Sequence, residues 1–92
     1  MATLIIPTPL RKYTDGEANF VTSETTIESA VKALTTTHPK ITNQILDQNG
    51  KLRHFIKVFV GDEDIRFLNG EQTEIKEDTV VSLIPAIAGG VE

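Results

Sequence analysis

At 92 residues the chain makes one small domain, with no room for a second. Nine Lys and Arg against 13 Asp and Glu leave a net charge of −4, which argues against the basic face that a nucleic-acid binder needs. Cysteine is absent, which excludes disulfides, thiolate metal sites and thiol nucleophiles together. No apolar run approaches membrane-spanning length, and the N-terminal stretch lacks the basic region and apolar length of a signal peptide. A cytoplasmic protein that does not engage a membrane is expected.

Thr3 to Ile6 reads as a short strand stopped by Pro7 and Pro9. Thr14-Asp15-Gly16 is a turn signal, with Gly16 free to take positive φ. Ala18 to Thr22 then reads as the return strand of a hairpin with a long connection. Thr25 and Glu28 have capping-box spacing, and Ile27, Ala30, Val31 and Leu34 follow as one apolar stripe at helical period. The three threonines from Thr35 weaken this helix. Pro39 ends it or opens another, and Ile41, Ile45 and Leu46 fit a further short turn of helix. Asn49-Gly50 is a turn. Phe55 to Val60 is the strongest strand signal, followed by a Gly61-Asp62-Glu63 turn, a short strand from Asp64 to Phe67, an Asn69-Gly70 turn and a last strand from Thr79 to Pro85.

A hairpin and one helix crossing over to a second group of strands give an α+β domain. Its single mixed sheet has about five strands, with one main helix on one face. The helix carries one apolar stripe and covers one face only. This is the β-grasp, or ubiquitin-like, arrangement. The domain is expected over residues 1–85, with a flexible Gly-Gly tail over 86–92.

Candidates for catalysis are few. His38 sits beside a proline at a helix end, where capping or plain exposure accounts for it. His54 lies next to Lys51 and Arg53 and reads as a solvated strand edge. Asp62-Glu63-Asp64 lacks the loop spacing of a Ca²⁺ site. It reads as a charged turn guarding a strand end, in preference to a docking patch for a basic partner. No metal site and no catalytic side chain are expected.

The tail, Ala86-Ile87-Ala88-Gly89-Gly90, follows the last strand directly. Paired glycines there are either a frayed end or a tether that threads a narrow enzyme channel with a backbone carboxylate at its tip. Several segments carry a family likeness. They are Ile6-Pro7-Thr8 with Leu10-Arg11, Leu52-Arg53-His54-Phe55, Val60 to Phe67, and Val81 to Gly90. On these the chain resembles the ThiS/MoaD family of ubiquitin-like sulfur carriers over essentially its whole length. Asp62 to Phe67 and Pro85 to Gly90 point to the branch that serves cysteine biosynthesis.

The resemblance implies that an ATP-dependent, E1-like adenylating enzyme activates the carboxylate of Gly90. A sulfur donor then displaces AMP to leave a thiocarboxylate. It further implies a PLP-dependent cysteine synthase as acceptor and a zinc (JAMM-type) metalloprotease that releases the product. ATP, PLP and zinc belong to these partners, and the carrier has no cofactor of its own. The sequence departs from the family pattern in continuing past Gly90 with Val91-Glu92. Either a metalloprotease trims this extension between Gly90 and Val91, or the two residues are a cloning addition. Other acceptors fit the same carrier, namely molybdopterin synthase, whose small subunit this would be, and thiamin thiazole synthesis. Outside sulfur transfer, a ubiquitin-like modifier or a plain binding domain fits the fold.

Strand alternation predicts a docking face. Ile56, Val58 and Val60 are the better core set, leaving Lys57 and Phe59 outward. Val81 and Leu83 fit the core, leaving Val80, Ser82 and Ile84 outward. Phe59, Val80 and Ile84 are therefore expected to form an exposed apolar patch near the root of the tail.

Overall fold

A computed structural model describes residues 1–85. The tail residues Ala86, Ile87, Ala88, Gly89 and Gly90 and the extension Val91-Glu92 lie outside the described residues, and with them the tail segment expected over 86–92.

Five strands form one mixed sheet in the order β2-β1-β5-β3-β4. They are β1 (Ala2–Ile5), β2 (Asn19–Thr22), β3 (Ile56–Val60), β4 (Glu63–Asp64) and β5 (Val80–Pro85). β1 pairs antiparallel with β2 and parallel with β5, and β3 pairs antiparallel with both β5 and β4. The main helix, α1 (Ile27–Thr37), crosses from the first hairpin to the second group of strands. A 3₁₀ turn (Pro39–Ile41) and one further helical turn, α2 (Thr42–Ile45), follow it. Helix and strand periods converge on one core. The α1 stripe of Ile27, Ala30, Val31 and Leu34 is buried, as are the alternating strand residues Leu4, Val58, Val81 and Leu83. Ile41 and Ile45, with no residual exposure, close its end. The β-grasp architecture read from the sequence is the architecture of the structure.

Three local details differ from expectation. The helix cap is Thr26, one residue later than Thr25: Thr26 Oγ1 accepts from Ser29 N–H at 3.2 Å, and Ser29 Oγ accepts from Thr26 N–H at 3.3 Å. Thr25 is committed elsewhere, because its carbonyl accepts from Ile75 N–H at 2.8 Å and Thr26 bridges Glu74. This pairing holds the chain extended until Ile27. Glu28 instead accepts from Gln72 Nε2 at 3.1 Å. Next, the strand expected over Asp64 to Phe67 is only Glu63–Asp64, and Ile65–Phe67 is a 3₁₀ turn. The Asp64 carboxylate takes the Arg66 N–H at 2.8 Å and pulls the chain into that turn. Finally, the long connection of the first hairpin holds a 3₁₀ segment, Thr8–Tyr13, with Pro near its start and Leu10 buried. Its exit is the expected turn, with Asp15 and Gly16 both at positive φ.

Candidate functional site

β5 lies between β1 and β3, so the chain leaves the domain from the middle of the sheet rather than from an edge. Pro85, its last residue, is opposite Ile56 of β3. β1 pairs with Val80 to Ser82 and β3 with Val81 to Pro85, so β3 alone holds the end of β5 from which the tail starts.

The sheet face away from α1 carries the outward residues of every strand. Val80 is 48% exposed and Ile84 44%, as the alternation requires. Phe59 is half-buried and stands apart from the side chains packed on the core, whereas its neighbour Val60 is packed there. Register sets the layout. Ile5, Ser82 and Phe59 form one row across β1, β5 and β3, with Thr3 beside Val80 on one side and Lys57 opposite Ile84 on the other. The three expected patch residues therefore share one face, with Ser82 and Lys57 among them. The face extends further than sequence reasoning reached: Val21 of β2, 55% exposed, lies opposite Thr3, and Ile5 adds a half-buried aliphatic group. The alternation within β1 and β2 carries that signal, but only the cross-strand register joins it to Phe59.

The acidic cluster splits. Asp62 and Glu63 are exposed, whereas the Asp64 side chain is 7% exposed. Asp64 holds the Arg66 guanidinium through Nε and Nη2, with Nη2 at 2.7 Å. These hydrogen bonds, joined by the Arg66 backbone N–H and the charge of Lys57, keep the Asp64 carboxyl below the ordinary carboxylate range. A lowered folded-state value means that stability is fully present above about pH 4 and is lost as pH falls through the folded value. Asp64→Asn is therefore expected to lower the melting temperature at neutral pH. Its deficit against the unaltered chain should shrink in acid, near pH ~3. Thermal unfolding at both pH values checks this, and a deficit that stayed constant would contradict the assignment.

The two histidines lie in different settings. His38 is the C-cap residue of α1, but it is not plainly exposed. Its side chain is 14% exposed, with Nδ1 3.8 Å from Asp15 Oδ2 and the ring edge-on to Phe20. His54 is exposed, as expected, with its ring edge-on to Phe55. Among the described residues, no group of three or more His, Asp or Glu is placed to hold a metal. No helix among them is long and apolar enough to cross a membrane.

A mixed five-stranded sheet grasping one main helix defines a ubiquitin-like domain. The ThiS family model matches residues 4–90, and the chain belongs to that family. It is 36% identical over 90 residues to the sulfur carrier protein CysO of Mycobacterium tuberculosis, covering 96% of this chain and 97% of the relative. A chain of the crystal structure of the Amycolatopsis orientalis BexX/CysO complex superposes with a TM-score of 0.87 at 34% identity. That match covers 98% of this chain and all of the other. The small archaeal modifier protein 1 of Methanosarcina acetivorans, at 20% identity and a TM-score of 0.85, shares the fold; 97% of this chain and 95% of that one are covered.

Proposed function

We propose that this protein is a sulfur carrier: a co-substrate of partner enzymes, not an enzyme itself. The observation that carries the reading is the position of Gly89-Gly90. They end the segment that matches the family and begin four residues beyond β5, the strand held in the middle of the sheet. The Gly90 carboxylate, freed of Val91-Glu92, attacks the α-phosphate of ATP on an E1-like adenylating enzyme and pyrophosphate leaves. A sulfur nucleophile then displaces AMP from the mixed anhydride and leaves a thiocarboxylate on Gly90. ATP, and the PLP and zinc of a downstream cysteine synthase and metalloprotease, reside on those partners. The 36% identity to a protein named CysO supports the cysteine branch as the acceptor pathway.

Intact-mass analysis of the protein recovered from its own host tests the reading. A form ending at Gly90, with one oxygen exchanged for sulfur or carrying a cysteine adduct, is expected, and the adduct marks the cysteine branch. Ladders of higher-mass conjugates would instead assign a protein modifier. A Glu92 terminus that is never altered would overturn both.

The open sheet face supplies the grip that brings the tail to each partner. Phe59→Ala is expected to leave the melting temperature nearly unchanged while raising the KM for the carrier with the adenylating enzyme. The rise corresponds to roughly 1–3 kcal/mol of lost binding. A collapsed fold with unchanged KM per folded molecule would place Phe59 in the core instead.

A further inference from the structure

Phe67 is 82% exposed and Leu68, beside it, 39%; they are the only sequence neighbours among the exposed large apolar residues described. The pair is held firmly. Ile65, 5% exposed, anchors the turn in the core. Asp64 binds both the backbone N–H and the guanidinium of Arg66, and Leu68 N–H donates to Ile65 O at 2.9 Å. Asn69 N–H, just beyond, donates to Thr73 Oγ1 at 3.0 Å. Sheet edges are normally blunted with charge and kept free of large apolar groups. An exposed aromatic side chain on a hydrogen-bonded turn beside β4 runs against that practice. A backbone ordered in advance lowers the entropy lost when a partner binds.

Charge indicates the partner's chemistry. Asp64 and Arg66 neutralise each other. Asp62 and Glu63 are left exposed and uncancelled within the segment, on a chain of net charge −4. We propose that residues 62–68 form a second docking element, in which Phe67 enters an apolar cleft rimmed by Lys or Arg on the adenylating enzyme that activates the tail. The proposal rests on the carrier reading above. β4 is the edge strand two spacings from β5, roughly 10 Å, so a partner on the open face with an interface of ordinary size reaches this turn by wrapping around the β4 edge. The partner would thus hold the domain at two places while the tail enters its site.

The test is calorimetric titration of the Gly90-terminated chain into the adenylating enzyme of the same organism, with pyrophosphate exchange followed in parallel. Phe67→Ala is expected to weaken binding by about tenfold or more, raising KM with kcat held and the melting temperature unchanged. Phe67→Leu should retain most of the affinity. Replacing Asp62 and Glu63 together by Lys should weaken binding and flatten its salt dependence. Unchanged affinity and KM for Phe67→Ala, with exchange intact, would overturn the docking element alone. Binding of the unaltered chain without any exchange would overturn the carrier reading but leave the docking comparison valid. No binding of the unaltered chain would overturn both.

Discussion

A chain ending at Gly90 is expected to support pyrophosphate exchange with the adenylating enzyme, and the 92-residue chain is expected to give only background. The reason is chemical. In the longer chain the carbonyl of Gly90 is an amide, and an amide oxygen does not attack ATP to give an acyl adenylate. The only terminal carboxylate is that of Glu92, two residues further on. Two residues can displace a carboxylate by at most roughly 7 Å, and both of these carry side chains. An active site that tolerates little misplacement of a reacting group will not accept it. Exchange assays on the two forms at equal concentration check this, and equal rates would contradict it.

Gly90→Ala in the shorter chain should produce the second large effect. Gly90 lies beyond β5, so the buried residues of the helix and sheet are untouched and the melting temperature is expected to stay the same. Glycine alone allows a backbone to pass close to enclosing walls and to take positive φ without strain. A methyl group at the reacting residue shifts the carboxylate within a confined site, where about 1 Å of displacement costs on the order of 10²-fold in rate. Adenylation measured as kcat/KM against a melting curve on the same sample separates the two effects. Unchanged kcat/KM would show that the tail is not closely enclosed.

The parts of the fold that were legible in the sequence are those that one periodicity decides. The Ile27–Leu34 stripe, the alternation of Ile56, Val58 and Val60, and the Val81/Leu83 pair each name their own buried face, and the structure buries all three sets, Val60 partly. The parts that were not legible are set by contacts from elsewhere in the chain. Thr25 has a good capping sequence, but a carbonyl bonded to Ile75, 50 residues away, keeps it out of the cap. Asp64 to Phe67 has strand composition, but one carboxylate closing on Arg66 turns it into a 3₁₀ segment and leaves Phe67 in water. The open sheet face shows the same division. Val80 and Ile84 follow from alternation within β5, whereas Ile5 and Val21 join them only through the register of β1 with its two neighbours. Gly89 and Gly90 lie outside the described residues, so their assignment rests on their position in the sequence after the last strand and on the match of the family to residues 4–90.

In the proposed function, sulfur is carried on Gly90. Incubating the Gly90-terminated chain with ATP, the adenylating enzyme and sulfide, then measuring intact mass, tests it most directly. The expected result is a rise equal to the exchange of one oxygen for sulfur, dependent on ATP and lost on removal of the C-terminal glycine. A mass that stays unchanged while the enzyme consumes ATP with this chain present, or a rise that survives removal of Gly90, would contradict it.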